Sequence, residues 1–351
     1  MKRLFLFISL KIFAFFFVLA IFSACAPKNE EVKEKVQQER IVLAYSFGDR
    51  MLPDPEIVTH INYAFGHVTD TYDGVRINSE EQLRAIVALK EQKPSLKVLL
   101  SIGGWGSGRF SEMAAVTKYR KAFAADCKRV VDEFGLDGID LDWEYPTHSW
   151  HQAVASSPED FGNYTLLSID IRMAIGDDKL LTMATLADAD PIVDWKAIEP
   201  YYSFFNIMTY DLAFLNPNNP YHQGALYRSD KVNRISCEEA VDKHIAAGIP
   251  AEKLNLGILF GGRGNRVNVN ELPEGFTRQW DDVAKAAYIT NAEGEFWYSF
   301  EEERAIEHKM DFIKQRGLLG TMYWSYNAQA PVFSKIMYDR LVNNIASTES
   351  Y

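Results

Sequence analysis

The chain has 351 residues, with 37 Lys and Arg against 48 Asp and Glu and a formal net charge of −11. That balance, with no basic patch, argues against a nucleic-acid partner, and three cysteines do not make a disulfide framework. Aromatic residues make up 13% of the chain, and an acidic, aromatic-rich protein suits a neutral or cationic sugar polymer.

The first 24 residues carry Lys2 and Arg3, then an apolar stretch interrupted by Lys11. The uninterrupted part, 12–22, is shorter than the ~20 residues a spanning helix needs, so 1–24 is read as a signal peptide with a small-residue processing site. Phe22-Ser-Ala-Cys25 resembles a bacterial lipobox, with Cys25 lipidated and first in the mature chain; a plain signal peptide is the alternative. Residues 25–40 are polar and charged and read as a flexible tether, leaving one domain over 41–345. The expected location is the bacterial cell envelope, with a lipid anchor in the membrane.

From residue 41 onward, short apolar runs alternate with amphipathic stretches. The runs 41–46, 60–65, 97–102, 136–144, 180–185, 204–210, 254–260 and 320–325 predict strands; 79–92, 119–134, 158–174, 237–247 and 301–315 predict helices. Eight strands with helices between them predict an α/β fold, a (β/α)8 TIM barrel, whose chemistry gathers at the strand C-terminal ends. Residues 212–236 form a long loop rich in Asn, Pro, Tyr and His, placed at the rim. The stretch between 260 and 320 holds about 60 residues, the last of the predicted helices among them. Within it Trp280 and Trp297 are read as local packing, with sugar contact as the alternative. Cys127 and Cys237 are read as small buried residues, with one bridge between them as the alternative.

The densest chemistry lies in Gly135-Leu-Asp-Gly-Ile-Asp-Leu-Asp-Trp-Glu-Tyr-Pro146. Asp140, Asp142 and Glu144 sit two apart, with apolar Ile139, Leu141 and Trp143 between them. On a strand, alternate residues share a face, so three carboxylates line up about 6.5–7 Å apart. Such a row is costly, because like charges repel and lose solvation. It also drives the pKa values apart, holding one carboxyl protonated while another stays ionised. That division suits glycoside hydrolysis, where one carboxyl must protonate the leaving oxygen. A divalent metal site is the rival reading of the spacing, and a solvated acidic edge the bland one.

Asp137-Gly-Ile-Asp140-Leu-Asp142-Trp-Glu144-Tyr-Pro resembles the DxxDxDxE signature of family 18 glycoside hydrolases, in the form common in chitinases. Ser101-Ile-Gly-Gly-Trp105 looks like the strand 3 motif of that family, Met208-Thr-Tyr210-Asp211 like its strand 6 motif, and Gly320-Thr-Met-Tyr-Trp324-Ser325 like its strand 8 motif. The four occur in family order, and the resemblance displaces the metal reading.

The resemblance implies retaining, substrate-assisted hydrolysis. Glu144 would protonate the glycosidic oxygen and later activate water; the substrate's own N-acetyl oxygen would attack C1 to give an oxazolinium ion. Asp142 would orient the acetamide N–H, Asp140 would share a proton with Asp142, and Tyr210 would bond the acetamide oxygen. Trp324 would floor the pocket, with Tyr45, Phe65, Gly104, Trp105, Met208 and Asp211 around it. Tyr45 and Phe65 also read as plain core, Met208 as packing, and Gly103 and Gly104 as turn residues; Asp137 reads as structural. His222-Gln-Gly-Ala-Leu-Tyr227 resembles a family loop near the substrate. Many larger members of the family insert a subdomain between strands 7 and 8; against them the stretch 260–320 is too short for a full-size insertion subdomain, which implies a shallower cleft. His148 and His151 lack an evident third ligand, so no metal and no cofactor is expected.

Two stretches depart from the family pattern. Gly257-Ile-Leu-Phe-Gly-Gly-Arg263 lacks the Pro and Tyr usual there, although Arg263 remains, and Trp324-Ser-Tyr-Asn327 lacks acids. The expected activity is cleavage of β-1,4 bonds between N-acetylglucosamine units in chitin or chitooligosaccharides by a monomer. An endo-β-N-acetylglucosaminidase on N-glycan cores and a non-catalytic glycan-binding lipoprotein are the alternatives.

Overall fold

The computed structural model of the protein describes residues 39–48, 51–149, 154–213, 220–265, 267–327 and 330–346. The expected leader, Cys25 and His151 lie outside them, as does all but the end of the tether. The first strands are β1 (Ile41–Phe47), β2 (His60–Val68), β3 (Val75–Ile77), β4 (Lys97–Gly103), β5 (Gly138–Asp142), β6 (Leu180–Leu186), β7 (Phe204–Met208) and β8 (Leu254–Leu259). They are followed by β9 (Gly262–Gly264), β10 (Thr277–Asp281), β11 (Ala286–Thr290), β12 (Phe296–Phe300) and β13 (Gly320–Trp324). Eight of these pair in parallel in the order β1-β2-β4-β5-β6-β7-β8-β13, and β13 pairs back to β1 to close a barrel. Helices α1 (Glu80–Ala88), α2 (Phe110–Ala115), α3 (Thr117–Phe134), α4 (Asp160–Ile175), α5 (Trp195–Ile198), α6 (Cys237–Ala247), α7 (Glu303–Arg316) and α8 (Ala330–Leu341) complete the (β/α)8 arrangement.

The period-2 pattern of the strands builds two apolar layers. On β1, Ile41, Leu43 and Tyr45 join the barrel lumen with Ala64, Phe65, Phe204 and Met322. Val42 and Ala44, pointing the other way, join the larger layer beneath the helices. Helix α3 answers that layer with Phe123, Cys127, Val130, Val131 and Phe134, at helical spacing on one face. Helix α6 starts with a capping box, Ser236 with Glu239, and ends at Gly248 in the left-handed region, so its bounds match the predicted ones.

All eight predicted strands are present, but four end early, 254–260 and 320–325 by one residue and two others by two. The expected strand 136–144 is 138–142, and 204–210 is 204–208. At the barrel mouth the ladder runs out of partners and the chain turns, as where Thr209 N bonds Ile207 O at 2.8 Å. Glu144 and Tyr210 therefore stand on the turns just beyond their strands. The segment between β8 and β13 holds a four-stranded antiparallel sheet, β10-β11-β12-β9, over a small core of Ala287, Ile289 and Phe300. No helix is found between β9 and β12 among the described residues, so this sheet is a compact β cap, and α7 follows it before β13. Trp280 and Trp297 are on its strands β10 and β12. Both cysteines are buried free thiols, Cys127 in α3 and Cys237 at the start of α6.

Candidate active site

The acid row begins inside the lumen. Asp140 is fully buried on β5, and four side chains from four other strands donate to it. Tyr45 Oη (2.9 Å) and Ser101 Oγ (2.8 Å) reach Oδ2; Thr182 Oγ1 (2.5 Å) and Asn206 Nδ2 (3.3 Å) reach Oδ1. Asn206 Nδ2 also contacts Tyr45 Oη at 3.2 Å, and Asn255 Nδ2 donates to Asn206 Oδ1 at 3.0 Å. Burial raises the Asp140 pKa, and the four donors pull against that rise.

Asp142, two residues on, is 5% exposed, and its Oδ1 has no hydrogen-bond partner. Burial first, then the charges of Glu144 and Asp140, push its carboxyl well above the usual range. Glu144 is half-buried on the turn. Burial, with the Asp211 charge adding to it, raises its pKa to about 7 against a hydrogen bond from Tyr145. All three carboxyls of the row are thus shifted upward, and Glu144, at about 7, keeps at neutral pH part of the proton an exposed carboxyl would lose.

Tyr210 follows β7, and Asp211 follows it in the left-handed region at φ 52°. Burial, then the Asp142 and Glu144 charges, hold the Tyr210 phenol well above its usual pKa. Asp211 is tied to Arg263 of β9, with Nε at 2.7 Å and Nη2 at 3.1 Å. Arg263 also lines an open groove of about 680 Å³ with Gly261, Gly262, Gly264, Val267, Asn268 and Tyr298.

Tyr45 and Phe65 are buried in the lumen cluster, with Met208, Tyr210 and Trp324 packed against it. Trp324 has its ring centroid 5.6 Å from Phe65 and 5.9 Å from Tyr45. Gly103 and Gly104 both have positive φ, 130° and 90°. A Cβ on Gly103 would stand 2.0 Å from Asp142 O, and one on Gly104 2.5 Å from the Phe65 ring, so backbone and ring approach only because both are glycine. Trp105, next in the chain, is 60% exposed. Tyr45 and Phe65, read either as core or as pocket, are both buried in this cluster, and Tyr45 also holds Asp140.

Asp137 lies at the opposite end of β5, bonded to Lys90 at 2.8 Å and to Val98 N at 2.9 Å, a structural position. Trp280 stacks on His308 under Arg304, and Trp297 meets Phe276 edge to face, which is local packing. His222 is buried against Asp281 of the β cap at 3.3 Å, while its neighbours Gln223 and Gly224 line a narrow cavity with Tyr210. Sequence reasoning missed Thr182, Asn206 and Asn255, and gave Ser101 no role beyond its motif. It also missed Phe47, 51% exposed with its ring 5.3 Å from Trp324. The available signal was a polar residue at an inward position of an apolar strand, as in Phe-Phe-Asn206-Ile and Leu-Asn255-Leu-Gly.

A sequence model of the family described as "Glycosyl hydrolases family 18" matches residues 32–329. The chain is 31% identical over 331 residues to Chitinase A1 of Niallia circulans, covering 79% of this chain and 46% of that protein. It is 29% identical to Chitinase C of Streptomyces lividans, covering 77% and 52%. The chain thus spans about half the length of these curated relatives. Among solved structures, a family 18 N-acetylglucosaminidase from Paenibacillus barengoltzii superposes with a TM-score of 0.75 at 32% identity, over 86% of this chain and 99% of that one.

Proposed function

Because the chain belongs to the glycosyl hydrolases of family 18, we propose that it hydrolyses β-1,4 linkages between N-acetylglucosamine units of chitin or chitooligosaccharides. The observation that carries this reading is Glu144, a half-buried carboxyl raised to about 7 on the turn just beyond β5, at the mouth of the barrel. A carboxyl with that pKa is protonated enough at neutral pH to give its proton to a leaving oxygen, and basic enough afterwards to activate water.

In this reading the acetamide oxygen of the sugar attacks C1 as Glu144 protonates the glycosidic oxygen, so the anomeric bond breaks and an oxazolinium forms. Asp142 receives the acetamide N–H and balances the positive charge. Its unpartnered buried Oδ1 supports that role. Asp140, with both oxygens taken by donors from four other strands, acts on Asp142 through charge and a shared proton. Tyr210 donates to the acetamide oxygen, and Trp324 offers the ring face on which the sugar lies. Tyr45, Phe65, Gly104, Trp105, Met208 and Asp211 shape the pocket. Water opens the oxazolinium with retention as Glu144 takes its proton.

The likeness to an N-acetylglucosaminidase favours a second substrate class, short oligosaccharides trimmed to single sugars. A purely glycan-binding role is disfavoured by the intact acid row. Export with a lipid on Cys25 belongs to the same proposal, as does action as a monomer; Cys25→Ala should abolish labelling by palmitate. The deciding experiment is turnover of chitin oligosaccharides beside a high-mannose N-glycan, with products read by mass spectrometry. Cleavage of the oligosaccharides alone, lost in Glu144→Gln, supports the proposal. Cleavage of the N-glycan core moves the substrate to glycoproteins, and cleavage of neither leaves the binding role.

A further inference from the structure

We propose that Asp160 is a positioning residue for Glu144, acting on the chain that leaves the acid; this rests on the reading of Glu144 as the proton donor. Asp160 is the first residue of α4 and is fully buried. Three groups from three segments converge on its carboxylate. Ser111 Oγ of α2 donates to Oδ1 at 2.7 Å, while Ser157 N (2.8 Å) and Thr147 N (3.3 Å) donate to Oδ2. Thr147 lies three residues beyond Glu144 and holds φ at 65°.

The other side of Glu144 is gripped by the same two helices. Trp143 is sandwiched between Phe110 of α2, at 5.2 Å and 13°, and Tyr164 of α4, at 5.7 Å and 25°. Trp143 is held through its ring faces and Thr147 through its backbone, and Glu144 lies between the two clamps. A buried carboxylate is costly unless its lone pairs are filled. The start of α4 accounts for the carboxylate's place at a helix N-terminus, but not for the bond to Thr147, which belongs to the strand-end turn. The Thr147 bond makes Asp160 a brace on that turn. The demand is steep, since a displacement of about 1 Å at a catalytic group costs ~100-fold in rate.

The test compares Asp160→Ala, Asp160→Asn and Ser111→Ala, reading kcat, KM and the pH profile on a chitooligosaccharide, with Glu144→Gln alongside. Asp160→Ala should lower kcat by about 10- to 100-fold with KM within about threefold. It should also move the alkaline limb of kcat/KM down by roughly half a unit or more, as looser packing admits water to Glu144. Asp160→Asn should keep kcat within about threefold, because its amide oxygen still accepts from Thr147 and Ser157 while its NH2 donates to Ser111 Oγ. Normal kcat and an unmoved limb in Asp160→Ala would overturn the proposal, as would an Asn variant as slow as the Ala one. If Asp160→Ala does not fold, Ser111→Ala decides: a displaced limb with a fall in kcat supports the brace, and wild-type values overturn it. Near-normal turnover in Glu144→Gln would instead remove the acid assignment, and this proposal with it.

Discussion

The Tyr45 hydroxyl at the end of β1 donates across the lumen to Asp140 Oδ2 on β5 at 2.9 Å, 95 residues away in sequence. A residue that packs as barrel core is thereby also a ligand of the innermost acid. The phenol is itself held well above its usual pKa, by burial first and then by the Asp140 charge, so it remains a donor throughout the working range. Core and chemistry are joined at this bond.

Removing one donor to Asp140 should raise its pKa further. Thr182→Val deletes the hydroxyl at Oδ1 with little change of volume. A hydrogen bond to a charged group contributes about 1.5–3 kcal/mol, so a fall of that size in unfolding free energy near neutral pH is expected. The acid limb of kcat/KM should shift upward. Thermal unfolding and a pH–rate profile check both.

Glu144→Gln should cost at least about a thousandfold in kcat while oligosaccharide binding by calorimetry persists within about tenfold, since the amide keeps the shape but carries no acidic proton.

The pKa of about 7 at Glu144 sets a pH window. Turnover that needs the protonated acid should fall above pH 7. Stability has a definite sign as well. The folded pKa lies above the unfolded one, so the folded state binds the proton more tightly. The contribution is present at pH 4 and lost as pH rises through 7. Glu144→Gln should therefore gain melting temperature over wild type at pH 8 but not at pH 4, by up to ~3 kcal/mol equivalent. Equal differences at both pH values would contradict the shift.

Arg263→Gln should leave the Asp211 charge less compensated. Because Asp211 raises the Glu144 pKa, the alkaline limb should move to higher pH by a few tenths of a unit. A limb moving to lower pH would reverse the assigned sign.

Trp324→Ala should raise KM and lower kcat together by roughly 10- to 100-fold, because the lost ring face costs about 1.5–3 kcal/mol of apolar contact. The pH profile should not move, as no charge is removed. Phe47→Ala, farther out on the same aromatic cluster, should affect only the longer oligosaccharides.

Much of this was legible in the chain. The acid row is visible because alternate residues on a strand share a face, so Asp140, Asp142 and Glu144 announce themselves by spacing. Eight apolar runs separated by helical stretches predicted the barrel, since each strand must alternate between lumen and helix layer. Helix α6 matches the predicted 237–247, bounded in the structure by the Ser236 cap and by Gly248. The β cap was not read, because its strands are three to five residues long with mixed polarity and do not differ by pattern from loop.

The sequence by itself determined which residues carry acid, ring and turn, because those properties are local: a spacing of two, an indole, a glycine at positive φ. Only the tertiary structure decided that Ser101, Thr182, Asn206 and Tyr45 meet on one carboxylate, that Arg263 reaches Asp211, and that Asp160 holds Thr147. Those contacts join segments that are between 13 and 95 residues apart. Closing the sheet fixes which inward positions face each other, and no local pattern encodes that closure.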